Sequence, residues 1–465
     1  MRRTPLLVVT MGLLSACETT DAAGPKLRDL HTLPNASALA FDNATDGRLD
    51  VGPVPQEVPP GAVVPRDEAE LASMLADPAG PPTLWLGERT WHGDLRIRRP
   101  VALHGAGPGT ILEGSGTSTV VDAEGQGIVL DNLTIRGTGG KHTAEDSAVK
   151  IRGQGNTLRR LFLDHVLFGA SLASCKQCVA EQLHVIGEAE HADGDAELRG
   201  DGIKLWESDG SRVSHCLVEQ VRDVVVWYSR DVTLEANVVR QSRYGSHFMY
   251  THDCVVRDSA VIDNVVGIFV MYSSRLAVQG NVLAGAGGPA GVGIGFKDSD
   301  DITVTDNWFV GNTTGTYLDT TPRTPATPVH FDGNVVALND IGLRFHAAPH
   351  GVFVTANDFQ ENGQAASVDG GGDATSAELT DNFWSDYAGY DLDADGTGDV
   401  AYEVKRLSSE LTEAHPSLKL FQGTAALVTL DAVARAVPVL ATRLLLRDPR
   451  PSVRPHRLAD REALP

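Results

Sequence analysis

Apolar and polar residues alternate in short runs along most of this chain, and the runs recur about every 22 residues. Taking Gln182, Cys216, Asn237, Ser259, Asn281, Asn307, Asn334, Asn357 and Asn382 as equivalent corner positions, the steps 237 to 259 and 259 to 281 are 22 residues each. The other neighbouring steps run from 21 to 27 with one of 34, which fits insertions at turns on one side of a solenoid. Each unit is a set of short strands rich in Val, Ile, Leu and Thr, with Asn or a small residue at a corner. Such a unit cannot bury its own apolar face, so the pattern predicts an all-β chain stacked as a right-handed parallel β-helix. Early strands are expected at Thr83 to Leu86, Asp94 to Ile97, Val101 to His104 and Ile128 to Ile135.

Helical spacing appears only at the two ends. Residues 66 to 80 read as a short amphipathic helix, including Met74, that plugs the open apolar end of the solenoid. Leu418 to Leu446 is apolar at helical spacing but broken by Lys419, Asp431, Arg435, Pro438 and Arg443. That predicts two short amphipathic helices, either a cap or a docking tail for a membrane partner. The chain divides accordingly into 1–17, an export signal; 18–65, a flexible tether of Ala, Pro, Asp and Gly; 66–406, the β-helix; and 407–465, the helical tail.

Strand side chains alternate, so in the strand after each corner the second and fourth residues should point inward and the third and fifth outward. The fifth positions form the ladder Trp206, Trp227, Met249, Met271, Lys297, Asp319, His346. The third positions form Lys204, Val225, His247, Phe269, Gly295, Tyr317, Arg344. Equivalent residues of successive coils lie one strand spacing apart, about 4.8 Å. His247, Met249 and Met271 should therefore share one outward patch, bordered by Trp227 and Phe269, with His252 a turn away. One imidazole and two thioethers make a soft, neutral ligand set that selects Cu(I) over Zn²⁺, Ca²⁺ or Mg²⁺. The same patch also reads as a protein-docking face presented by Trp206, Trp227 and Phe269.

Charge and the remaining motifs narrow the alternatives. A formal charge of −22 with no basic stripe argues against a nucleic-acid partner. Arg2 and Arg3, an apolar stretch from Leu6 to Leu14 and then Leu14-Ser15-Ala16-Cys17 form a lipobox, which predicts acylation of Cys17 and export. Glu18, where inner-membrane retention typically uses Asp, points to a periplasmic protein lipid-anchored in the outer membrane. No later segment has the eighteen or so apolar residues of a transmembrane helix, so any contact with the bilayer would be through the lipid. Cys175 and Cys178 are either a local disulfide or a metal or redox pair. Asp391, Asp393, Asp395 and Asp399, with Gly396, match the first part of a calcium loop, but position 12 is Tyr402 rather than Glu. Either a weak Ca²⁺ site or a hydrogen-bonded turn fits. A rival function would use Lys297, Tyr317, Asp319, Arg344 and His346 as a lyase or epimerase groove for uronates.

The run Asn382-Phe383-Trp384-Ser385-Asp386-Tyr387 through Asp399 resembles the tail signature of the NosD family of carbohydrate-binding and sugar-hydrolase-type β-helices. Arg243-Tyr244-Gly245-Ser246-His247-Phe248-Met249-Tyr250-Thr251-His252-Asp253, Gly267 to Arg275, Asn132 to Gly137 and the tail from Phe421 to Pro451 are similar to the same family. The resemblance covers about residues 66 to 451. It implies a non-enzymatic periplasmic accessory protein that supplies copper during nitrous oxide reductase maturation. Its implied partners are an ABC transporter of ATPase and permease, a copper-chaperone lipoprotein and the reductase itself. Cys17 departs from the cleaved soluble signal usual in that family, and nearly fifty extended tether residues would span on the order of 150 Å.

Overall fold

The computed structural model describes residues 41–42, 48–49, 51–188, 196–346, 348–369, 372–405, 411, 415–421, 424–436 and 444–457. The export signal with Cys17 and most of the tether lie outside the described residues. The chain is a parallel β-solenoid. One wall is a twelve-stranded sheet running from Leu95–Ile97 to Gln364–Asp369, and the remaining coil strands form a second continuous parallel system around it. The expected early strands are present at Thr83–Leu86, Leu95–Ile97, Ala102–Gly105 and Val129–Arg136.

Alternation sorts the twelve-stranded wall as anticipated. Ile203, Leu205, Val224, Val226, Phe248, Ile268, Val270, Ile294 and Phe296 are all buried in the core. Pairing is in register, rung by rung: Trp206 on Trp227, Trp227 on Met249, Met249 on Met271, Met271 on Lys297.

Asparagine suits the corners because its short side chain carries both a donor and an acceptor. The backbone N–H of Asn307 donates to Asn334 Oδ1 at 2.9 Å, while Asn307 Nδ2 donates to Val278 O at 2.8 Å. The same step repeats from Cys216 through Asn237, Ser259, Asn281, Asn334 and Asn357 to Asn382. Gln182 is out of register with this ladder by one residue. His184 pairs with Leu217, so Leu183 stands opposite Cys216. Two further corner ladders run alongside. One is Ser242, Asn264 and, further on, Asn312, Asn339 and Asn362; the other is made of Ser208, Ser229, Thr251, Ser273, Ser299 and Thr321.

The ends are closed differently. Glu68–Ala76 is a helix capped by Asp67, whose side chain accepts from Glu70 N, and it buries Leu71 and Leu75 over the first coil, with Met74 packed beside them. At the far end the described tail contains one α-helix, Ala425–Ala436. Leu444–Asp448, where helix was expected, is a strand paired antiparallel with Tyr402–Lys405. It delivers Asp448 to the end of the asparagine ladder, where Oδ2 accepts from Asn382 N, Asn382 Nδ2 and Trp384 Nε1.

Residues 51–65, expected to belong to the tether, lie against the coils instead. Gly52 N donates to Gln182 O, Val54 exchanges two hydrogen bonds with the Asn132 side chain, Gln56 N donates to Ala106 O, and Val63 bridges Leu84. The strap thus crosses several coils.

Candidate metal-binding face

Met249 ends the strand Tyr244–Met249 and Met271 ends Val266–Met271, on adjacent rungs of the same wall. Neither sulfur-bearing side chain belongs to the core, and both residues are partly exposed. Two residues before Met249, on the same face, stands His247. Outward orientation does not expose it: His247 is only 8% accessible, and Val225 below it is fully covered. The Tyr244 ring stacks on the imidazole at 4.8 Å and Trp227 meets it edge-on at 5.4 Å. The imidazole is on the outward face as expected, but large neighbours on that face close over it.

The polar atoms in this pocket are poorly satisfied. His247 Nδ1 and Nε2 are buried and hydrogen-bond to nothing among the described residues, and the same holds for Trp227 Nε1. A buried unmade hydrogen bond costs roughly 1–3 kcal/mol per group, so such a cluster needs a reason. The nearest charge is Asp223, 1% exposed, whose Oδ2 lies 3.6 Å from His247 Nδ1. Arg243 clamps that carboxylate, from Nε to Oδ1 at 2.9 Å and from the second terminal nitrogen to Oδ2 at 2.5 Å, and it also pairs with Glu197. Burial works against the Asp223 charge, but the nearby His247 ring and the hydrogen bonds and charge of Arg243 outweigh it and hold the carboxyl below its ordinary range.

His252 lies on the neighbouring sheet, in His252–Arg257, with Nδ1 2.7 Å from Ser274 Oγ. Burial and then the charges of Arg230 and Arg275 lower its pKa. Trp206 and Trp227 contact one another at 5.7 Å, and Phe269 meets Tyr244 edge-on at 6.1 Å.

Sequence reading missed a second aromatic ladder. Tyr228, Tyr250 and Tyr272, one residue past the fifth position of successive coils, stack at 5.1 Å, and Trp206 extends the stack to Tyr228 at 4.9 Å. All three tyrosines adopt positive φ, 52°, 54° and 51°, and Tyr228 and Tyr250 remain 44% and 42% exposed. Their 22-residue spacing was the available signal. Asp223 and Arg243 gave none, since their roles depend on a corner conformation.

Further along the wall the charges neutralise one another. Lys297 pairs with Asp319 at 3.3 Å, and Arg344 pairs with Asp369 at 2.6 Å while lying over Tyr317; His346 is exposed beside them. Asp391, Asp393 and Asp395 each bring a carboxylate oxygen within 4.8 Å of the others. Those oxygens already accept from the backbone N–H groups of Asp395, Gly396 and Thr397, and Asp399 turns back to Leu392 N. Cys175 and Cys178 form a disulfide, which resolves the open choice at that pair. Cys216 and Cys254 are buried free thiols, and burial pushes each up to about 12.

These features define a class: a parallel β-helix with a ladder of thioethers and aromatic rings on one wall. Residues 181–389, which contain that ladder, match the family described as periplasmic copper-binding protein (NosD). That segment of the chain is similar to the NosD family, in keeping with the sequence resemblance. It is 26% identical over 411 residues to the "Probable ABC transporter binding protein NosD" of Stutzerimonas stutzeri, covering 76% of this chain and 84% of that one. A protein of the same name from Pseudomonas aeruginosa is 34% identical over 110 residues, a match spanning 23% of this chain and about a quarter, 26%, of its relative. Among solved structures, the catalytic unit of a GH87 α-1,3-glucanase from Streptomyces thermodiastaticus superposes with a TM-score of 0.58 at 16% identity, covering 72% of this chain and 71% of that one. The mannuronan C-5 epimerase AlgE6 A-module of Azotobacter vinelandii gives 0.50 at 13% identity, covering 69% and 96%. At such identities the likeness is one of fold.

Proposed function

We propose that this protein is a NosD-type, non-enzymatic periplasmic accessory that holds Cu(I) transiently at Met249, Met271 and His247 during maturation of nitrous oxide reductase. It would work with an ABC transporter and a copper-chaperone lipoprotein, held near the membrane by a lipid on Cys17. The observation that carries the reading is the rung-on-rung register of Met249 and Met271 beside an imidazole whose nitrogens lack partners. Two thioethers one strand spacing apart can share a soft ion, and a neutral imidazole completes the set. Because His247 is covered, the ion meets the thioethers first and reaches the imidazole when Tyr244 or Trp227 shifts.

The test is Cu(I) titration against a competing chromophoric chelator. Met249→Ala/Met271→Ala is expected to lose one equivalent of bound Cu(I), or at least tenfold in affinity. Unchanged stoichiometry and affinity would remove these residues from the site.

The same wall also supports docking, through Trp206, Trp227, Phe269 and the tyrosine stack, and the two roles are compatible. The alternative of a uronate lyase or epimerase draws less support, because Lys297, Asp319 and Arg344 are engaged in ion pairs.

A further inference from the structure

The rung below the His247 strand begins with a carboxylate that is tied to the next coil but stands outside the three corner ladders. This is Asp223, first residue of the strand Asp223–Trp227 and almost wholly buried. Arg243, on the next coil, fixes it with two parallel hydrogen bonds, and Tyr244 N approaches the same Oδ1 at 3.3 Å. The carboxylate plane is therefore held from one side. Its Oδ2 faces the Nδ1 edge of the His247 imidazole at 3.6 Å, slightly longer than a hydrogen bond.

We infer that Asp223, clamped by Arg243, is the positioning residue of the His247 imidazole: it accepts a hydrogen bond from Nδ1–H and leaves Nε2 as the nitrogen that binds the soft ion. This deepens the copper-binding reading and rests on it. The physical reason is general. A metal-bound imidazole whose other nitrogen donates to a carboxylate is held in one tautomer and one ring orientation, and becomes a better donor to the metal. Here the arrangement answers both orphaned nitrogens together. A small rotation of the ring closes the 3.6 Å gap at Nδ1, and the ion takes Nε2. Tyr244 follows Arg243 directly, so the clamp also sets the ring stacked on the imidazole. One guanidinium thereby orders the carboxylate and, through the chain, the aromatic cover.

Three variants of the full-length protein separate this from the parent reading: His247→Ala, Asp223→Asn and Asp223→Glu. Cu(I) affinity is measured by chelator competition, and the His247 tautomer is read from imidazole ¹⁵N shifts. His247→Ala is expected to weaken Cu(I) binding by at least tenfold. Asp223→Asn, which keeps size but offers an amide, is expected to weaken it about 10- to 100-fold and to move the imidazole away from the Nδ1–H tautomer. Asp223→Glu, if the longer carboxylate reaches Nδ1, recovers the tautomer and part of the affinity. If His247→Ala binds Cu(I) like the parent protein, the site reading fails. If His247→Ala loses affinity while Asp223→Asn keeps both affinity and tautomer, the positioning role alone is overturned. If Asp223→Asn lowers the circular-dichroism signal and Asp223→Glu does not restore the tautomer, the role of Asp223 is structural and the inference is overturned.

Discussion

An asparagine at a coil corner closes two backbone gaps at once, and this is the unit from which the solenoid is assembled. Asn334, 1% exposed, has its N–H bonded to Asn357 Oδ1 while its Nδ2 donates to Val304 O, and its own Oδ1 accepts from Asn307. Alanine would leave Val304 O and Asn307 N buried and bare. Asn334→Ala is expected to cost about 2–4 kcal/mol, seen as a lower denaturant midpoint and faster amide exchange in the flanking coils. The stacked tyrosines show the opposite balance. A left-handed conformation costs a side-chain-bearing residue roughly 1–2 kcal/mol, and ring stacking returns about 0.5–1.5 kcal/mol per pair. Three consecutive coils keep this near-neutral arrangement at an exposed corner, alongside the two thioethers. At this scale the asparagine corners and the inward-outward alternation were legible, because each depends only on residue type and a period of two. The burial of His247 was not, because it depends on the rings of Tyr244 and Trp227 closing over an outward position.

Elements were legible in proportion to their periodicity. The strands of the regular coils appear where alternation places them, whereas the coil after Gln182 contains a long insertion before Ile203–Trp206. Spacing alone could not choose between Gln182 and Leu183 there, and only strand pairing does. Leu444-Leu445-Leu446 illustrates a different limit. A short apolar run fits helix or strand equally, and here the partner strand Tyr402–Lys405 decides. The Asp391 loop between the last coil and that hairpin is closed by its own backbone, and Tyr402, at the position where a bidentate Glu is usual, directs its hydroxyl to Asp386 Oδ1. Calcium is therefore expected to bind this loop only near millimolar concentration, and calorimetric titration would show it. Micromolar affinity would mean that the carboxylates abandon their backbone donors.

Across the whole molecule, one wall carries charge at its two ends and soft, aromatic surface in the middle. Lys204 pairs with Glu145 below the patch, and Lys297 pairs with Asp319 above it, so the flanking rungs are already neutralised. A strongly depressed carboxyl also lies under the N-terminal strap. Asp131 is fully buried; burial opposes its charge, but hydrogen bonds from His104, Arg160 and Arg159 prevail and hold it far below the ordinary carboxylate range. With the folded pKa depressed, its contribution is complete above the unfolded value of about 3.9 and is lost as pH falls further. Asp131→Asn is expected to melt at a lower temperature than the parent at pH 7, with the gap narrowing between about pH 4 and pH 2 in parallel thermal scans. An equal gap at every pH would show that packing, not charge, governs the site.

The strap also changes where mechanical load enters. Since Gly52, Val54 and Gln56 are stitched to Gln182, Asn132 and Ala106, and Arg160 holds the Gln56 side chain, a leash from Cys17 would begin at residue 51 rather than 66. Its contour length shrinks from nearly fifty residues to about thirty-three, no more than roughly 110–120 Å fully stretched. Pulling on such a leash would act sideways on the early rungs and leave the end plug unloaded.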